Sequence, residues 1–238
     1  MSHLDHRQVI AIDGPGGAGK STVARLLADR TGAMLFDTGA LYRAVTLAAI
    51  RAGIAGSDAE SLAELARRQL IDIQPASIDD GRQVDVLLDG EDVTWAIRTP
   101  EADARVSEVA AHPAVREALL DAQRSIADGA RVVMVGRDIG TIVIPRAGTK
   151  IYLDASAPER ARRRLAELQG RGIDASLERV LADLNARDAY DSGRATAPLA
   201  AASDAVVVDS DNRTIEEIVR EIQRVAESAW QRAGVPGE

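Results

Sequence analysis

Nine consecutive residues, Gly14-Pro15-Gly16-Gly17-Ala18-Gly19-Lys20-Ser21-Thr22, carry the plainest chemistry in this chain. They follow an apolar run, Val9 to Ile12, closed by Asp13, and they lead into a stretch where Val23, Leu26 and Leu27 stand at helical spacing. Strand, then G-x-x-x-x-G-K-[ST], then helix is an arrangement that curls backbone N–H groups around a polyphosphate and adds the positive end of a helix dipole. Gly14 through Thr22 are therefore expected to hold ATP, with Lys20 reaching its β- and γ-phosphates and Ser21 placing its hydroxyl on Mg2+. Of the 29 basic residues only Lys20 and Lys150 are lysines. A chain that uses arginine almost everywhere keeps lysine where a rigid guanidinium fork would not fit.

A second group of residues suits a second anion. The next apolar run, Ala33 to Phe36, ends in Asp37-Thr38-Gly39, and the helix after it carries Tyr42 and Arg43. A third run, Val132 to Val135, ends in Gly136-Arg137-Asp138. In a doubly wound sheet the carboxyl ends of the strands border the ligand crevice, so both sets are expected beside the phosphates. A charged pair directly behind a buried strand is hard to satisfy unless it meets a ligand or another charge.

The elements that must position these groups are legible as an alternation of short apolar runs and amphipathic stretches, the pattern of an α/β fold. Runs at Val9 to Ile12, Ala33 to Phe36, Val132 to Val135, Lys150 to Leu153 and Ala205 to Val208 predict a five-stranded parallel sheet of P-loop NTPase type, helices on both faces. Helices are predicted from Lys20 to about Thr31, ended by Gly32, and from Ala40 to Ala52. Between about 57 and 100 the rhythm changes: a helix at Asp58 to Gln69, then Ile71 to Gln74, Val84 to Leu88, an Asp89-Gly90 turn and a return through Asp92 to Trp95. Asp-Gly between such runs signals a type I′ hairpin, so this stretch reads as a small antiparallel lobe inserted in the parallel domain. Helices entered through proline follow at Pro100 to Ala111 and Pro113 to Ala127. A helical pair, Pro158 to Gln169 and Ser176 to Ala189, and a last helix at Thr214 to Arg232 with capping-box spacing to Glu217 complete the chain.

Composition bounds the rest. At 238 residues and 46% hydrophobic, the chain is expected to form one P-loop domain over 1–238, carrying the insert and a helical lid at about 158–172. A formal charge of −8 disfavours a general nucleic-acid surface, no apolar run is long enough to cross a membrane, and the polar N-terminus lacks a secretory core. The protein is expected to be a cytoplasmic monomer. Without cysteine it has neither disulfides nor thiolate chemistry.

Over nearly its whole length the sequence resembles the bacterial cytidylate kinases. The resemblance runs through Ile10-Ala11-Ile12-Asp13-Gly14-Pro15, Asp37-Thr38-Gly39-Ala40-Leu41-Tyr42-Arg43, Gly90-Glu91-Asp92-Val93, Ile97-Arg98-Thr99, Gly136-Arg137-Asp138-Ile139-Gly140-Thr141 and Ala195-Thr196-Ala197-Pro198-Leu199. It implies transfer of the γ-phosphoryl of ATP to CMP or dCMP, and it implies that the insert surrounds the monophosphate. By the same resemblance Arg43, Arg137 and Arg194 hold the CMP phosphate, Thr38, Arg116 and Asp138 read the cytosine edge, and Ser107, Arg187 and Asp191 contact the pentose. Asp37, at its strand end, joins this substrate-binding set. Thr38 stands where many of the family have serine, which keeps the hydroxyl.

Arg160, Arg162, Arg163, Arg164 and Arg171 crowd one helical hairpin, with Arg187 and Arg194 close behind. Two polyanions brought together in an acidic protein need positioned positive charge, so Lys20, Arg137, Arg163 and Arg194 are expected to act on the transferring phosphoryl group. An acceptor phosphate is already ionised near neutral pH and needs no general base, which leaves His3, His6 and His112 as spectators. A shikimate-type or UMP/CMP-type kinase would share the cradle and lid. A non-catalytic nucleotide-binding module is the other alternative, although the guanine-reading N-K-x-D is missing.

Overall fold

The computed structural model describes residues 6–82, 84–128, 131–170, 172–194 and 196–234. Of the residues singled out above, His3, Arg171 and Ala195 lie outside those described.

β1 (Val9–Asp13) is buried at every position because both faces of its sheet are covered. Val9 and Ala11 point to one hydrophobic cluster, Ile10 and Ile12 to the other. α1 (Lys20–Thr31) follows, then β2 (Met34–Asp37) and α2 (Gly39–Arg51). α1 packs with α8 (Ile215–Arg232), the last helix, on the Ile10 face. On the other face lie α2, α3 (Ala59–Arg68), α4 (Pro100–Ala111) and α5 (Pro113–Ile126).

β6 (Val132–Val135), β7 (Thr149–Asp154) and β8 (Val206–Asp209) complete the main sheet. Its order is β2-β6-β1-β7-β8, and every pairing is parallel. From the centre at β1 the chain crosses to one edge at β2, returns through β6 beside β1, and then builds outward on the other side through β7 and β8. That makes the carboxyl end of β1 the point where strand order reverses, and a ligand crevice opens there. All five strands predicted from the apolar runs are present, shifted by one residue at most at either end.

The inserted lobe is a three-stranded antiparallel sheet of β3 (Ile71–Pro75), β4 (Val84–Leu88) and β5 (Glu91–Asp92). Asp89 and Gly90 have φ of 50 and 85, as a type I′ turn requires. The return strand stops at Asp92 instead of running to Trp95. The Asp92 carboxylate accepts from Thr94 N at 2.9 Å, and the Thr94 hydroxyl accepts from Val86 N at 2.9 Å, so side chains take over the ladder. Val84, Val86, Leu88, Val93 and Ile97 seat the lobe on Ala40, Ala44, Leu47 and Ala48 of α2. One nearly buried guanidinium, Arg82, gathers the lobe's carboxylates Asp80, Asp85 and Asp92 at 2.7 to 2.9 Å.

α6 (Ala157–Gly170) and α7 (Leu177–Ser192) form a hairpin with a small core of Ala161, Val180 and Leu184. α7 runs three residues beyond its predicted end, to Ser192, which carries Asp191 onto the helix. The capping box of Thr214 and Glu217 on α8 is formed in both directions. A single turn of π-helix at Ile139–Val143, behind β6, carries no apolar periodicity and was not foreseen. No helix among the described residues is long and apolar enough to cross a membrane.

Candidate active site

A cleft of about 1200 Å³ opens at the carboxyl end of the parallel sheet. Its floor is the turn from β1 into α1. Gly19, the N-cap, has φ 91 and no side chain with which to cap the helix, so the first N–H groups of α1 are left for a ligand. Residues 16–22 line the cleft, whereas Gly14 and Pro15 do not. Gly14 (φ +145) packs on β7, where a Cβ would stand 2.0 Å from the Leu153 carbonyl. The Pro15 carbonyl accepts from Lys20 Nζ at 2.7 Å and aims that side chain across the loop. Burial, with the nearby Arg137, holds the Lys20 pKa well below the ordinary lysine value.

The hairpin arginines are divided. Arg160 is buried and bonds the carbonyls of Gly16 and Ala155 at 3.0 Å, with its other nitrogen 2.6 Å from Asp188. It braces the cradle from behind. Arg163 bonds Ser210 through the hydroxyl at 3.0 Å and the carbonyl at 2.7 Å, and Glu159 at 3.0 Å, yet it still borders the cleft. Arg162 is exposed and pairs with Glu159. Arg164 reaches the cleft from α6 and pairs with Glu167 at 2.6 Å.

Ser21 Oγ donates to Asp37 Oδ2 at 3.4 Å, and Asp37 Oδ1 accepts from Gly39 N at 3.0 Å. A hydroxyl and a carboxylate side by side are a hard oxygen pair, and they fit magnesium, which keeps most of its shell as water and phosphate oxygens. Among the described residues no group of three or more acidic, histidine or cysteine side chains is gathered for a metal.

Opposite the cradle, Asp191 is 1% exposed and faces three guanidiniums: Arg137 at 3.2 Å, Arg187 at 3.9 Å, and Arg194 in direct contact. Burial and then Arg137 push the Arg187 pKa down to about 10, and burial lowers Arg194 as well. Arg187 Nε and Arg194 Nε are buried donors with no hydrogen-bond partner. Such orphaned N–H groups in a cleft with surplus positive charge call for an anionic or hydroxyl-bearing ligand.

Deeper in, Arg116 and Asp138 make a buried ion pair, and Arg116 also bonds the Ala110 carbonyl at 3.0 Å and lies over the Tyr42 ring at 5.2 Å. Thr38 donates to the Val135 carbonyl at 2.9 Å. Arg43 pairs with Asp103, and Ser107 opens onto the same cleft from α4. The geometry therefore brings every predicted site residue except Gly14 and Pro15 to one cavity. His112 stands apart, bonded through Nε2 to the Gly56 carbonyl at 2.7 Å.

Two carboxylates were missed. Asp103 gave no signal beyond an acidic residue in the first turn of a helix. Asp13 was the more readable, a charge ending a strand that is otherwise wholly apolar. It is 4% exposed and accepts from Ile139 N and Gly140 N at 2.8 Å each, so it pins the π-turn that follows Asp138. Burial outweighs these bonds and pushes its pKa up from 3.8 to about 6. A carboxyl whose folded pKa is raised binds its proton more readily in the folded state, so its contribution to stability is gained as pH falls from 7 toward 4. Relative to Asp13→Asn, the wild-type chain should gain about 1 kcal/mol between pH 7 and pH 5.5, read from paired denaturant melts. The isoelectric point near 5.0 sets the lower limit of that experiment.

Buried guanidiniums facing a lysine-bearing cradle across one cleft suit the meeting of two phosphorylated molecules, and by class the chain is a P-loop kinase. The family model for cytidylate kinase matches residues 10–228. A cytidylate kinase of Chloroflexus aggregans is 51% identical over 89% of this chain and 90% of its own length. One from Vibrio cholerae is 46% identical over 94% and 97%. Among solved structures, a gluconokinase from Sinorhizobium meliloti is similar with a TM-score of 0.47 and 16% identity, over 96% of this chain and 97% of that one. The chain belongs to the cytidylate kinase family.

Proposed function

We propose that the chain transfers the γ-phosphoryl group of ATP to CMP or dCMP, giving ADP and CDP or dCDP. The observation that carries this reading is the continuity of one cleft from the cradle, past the Asp191 arginines, to the buried Arg116–Asp138 pair. Residues 16–22 would wrap the triphosphate, with Gly14 and Pro15 shaping the loop. Lys20 would give up its bond to the Pro15 carbonyl for the β- and γ-oxygens. Arg137, Arg163 and Arg194 would join it in spreading the charge of the transferring group.

Ser21 and Asp37 are the residues that would hold magnesium with the nucleotide. Held there, magnesium would supply positive charge against the phosphates during the transfer.

Arg43, Arg137 and Arg194 are assigned the acceptor's phosphate, and Ser107, Arg187 and Asp191 its pentose. An Arg116 donor beside an Asp138 acceptor, with the Thr38 oxygen nearby, complements an edge that offers an amine next to acceptor atoms. Cytosine presents that edge. Uracil presents a carbonyl and an N–H in those places, opposite to what the pair can meet. No base is needed, because the attacking oxygen belongs to an ionised phosphate.

The insert at about 57–100 is read as the acceptor-binding lobe and the α6–α7 hairpin as the lid. Since Arg160 and Arg163 tie the root of α6 to the cradle, closure should be confined to the distal part. Hydrogen exchange is expected to slow at 164–176 when a bisubstrate analogue binds, with 157–163 protected in both states. Equal protection of the whole hairpin with and without the analogue would rule the lid out.

The reading takes the protein as a monomer acting in the cytoplasm, in pyrimidine nucleotide metabolism. Coupled ADP-release assays across CMP, dCMP, UMP, AMP and shikimate test the reading. CMP and dCMP should lead by at least about tenfold. Preference for any other acceptor would overturn it.

A further inference from the structure

Asp103 stands where three sides of the cleft meet. It lies in the first turn of α4, its backbone N–H donating to the Thr99 carbonyl at 2.9 Å. One carboxylate oxygen contacts Arg43 of α2, and the other is 3.6 Å from Arg164 of α6. The three side chains are between 21% and 31% exposed, so the cluster is partly buried and still open to solvent. Among the described residues Arg43 is otherwise held by a long bond of 3.4 Å to the Ile97 carbonyl. Arg164 keeps Glu167 on its own helix at 2.6 Å. Asp103 thus joins α2 and α4 to α6 through side chains, as an anion between two guanidiniums.

A phosphate monoester is a stronger partner for two guanidiniums than a single carboxylate, since it carries more charge and more acceptor oxygens. We propose that Asp103 is a positioning residue that stands in for the acceptor's phosphate. In the empty enzyme it holds Arg43 and Arg164, and the incoming monophosphate takes both from it, so that Arg164 turns toward the phosphates only with an acceptor in place. The carboxylate costs some acceptor affinity. In return the cleft is not fully armed around ATP alone, where water would take the γ-phosphoryl group and ADP would leave. This rests on the reading of Arg43 as a ligand of the acceptor's phosphate.

Asp103→Asn keeps the shape and removes the charge. Its KM for CMP is expected to fall about three- to tenfold with kcat within about twofold, the range for a partly buried ion pair. ADP release from ATP without any acceptor is expected to rise about fivefold or more. In the double variant Asp103→Asn/Arg164→Gln the gain in acceptor-free ADP release should vanish, and KM for CMP should lie below that of Arg164→Gln alone. Asp103→Ser, which also suits the first turn of a helix, repeats the measurements in case the amide destabilises the fold.

A KM for CMP that is unchanged or raised in folded variants overturns the proposal, because Asp103 would then be aiming Arg43 instead of competing for it. Acceptor-free ADP release at the wild-type rate overturns it as well. The acceptor-free arm contains no CMP, so a failure of wild-type CMP turnover faults the assigned acceptor and is separable from the coupling.

Discussion

Lys20→Ala should lower turnover by about a thousandfold or more, some 4 kcal/mol of transition-state stabilisation, while leaving the fold intact. The size of the loss follows from where the ammonium sits. It is 7% exposed, with Arg137 and Arg187 set against Asp37 and Asp13 around it, and its bond to the Pro15 carbonyl is local to the loop it serves. Because burial and Arg137 already depress its pKa, the folded chain holds this proton less tightly than the unfolded chain does. Stability therefore rises with pH in the window between its lowered value and the ordinary lysine value, and the charge at Lys20 costs stability below that window. Removing the side chain should accordingly leave the melting temperature unchanged or raise it slightly, a readout that separates a catalytic loss from a folding defect. Lys20→Arg should recover little, since the planar fork cannot occupy the narrow approach that the ammonium takes. Near-normal single-turnover rates in Lys20→Ala would remove the lysine from the reaction.

The sheet was legible because a strand covered on both faces shows as an unbroken apolar run, and Val9 to Ile12 and Val132 to Val135 are such runs. The Asp89-Gly90 turn was legible for a separate reason: positive φ at two adjacent positions restricts the residues that can stand there. What could not be read was anything decided by partners distant in sequence. Arg160 and Arg163 look alike among the hairpin's arginines, yet one is buried against the Gly16 carbonyl and the other is tied to Ser210. Nothing within the hairpin distinguishes them, because the carbonyls that choose between them belong to the cradle and to the end of β8. Asp103 was invisible for the same reason, as its meaning depends on α2 and α6 arriving on either side. The Asp191 cluster was half legible: its arginines could be placed near an anion, but that one carboxylate neutralises part of three guanidiniums follows only from α7 continuing through Ser192.

The other large effect is expected at Asp138, a buried charge and the group proposed to read the base. Asp138→Asn should reduce the preference for CMP over UMP by about a hundredfold, compared through kcat/KM. An amide can turn either its oxygen or its nitrogen toward the base, so it can accept from the cytosine amine or donate to the uracil carbonyl, whereas the carboxylate only accepts. Most of the change should come from CMP losing an interaction with an anion, with UMP rising modestly. Asp138 is also the partner of Arg116, whose guanidinium keeps the Ala110 carbonyl and the Tyr42 face in either variant. Asparagine retains an acceptor for Arg116, so the stability cost should be moderate. Asp138→Ala strands the cation and should cost about 3–5 kcal/mol in denaturant melts. Comparing the two variants separates recognition from stability: base preference should relax in Asn with the fold largely kept, and the alanine change should act first on the fold. If Asp138→Asn keeps the wild-type ratio of CMP to UMP turnover, another group reads the exocyclic amine, and the pairing of Arg116 with Asp138 serves only to hold α5 against the turn behind β6.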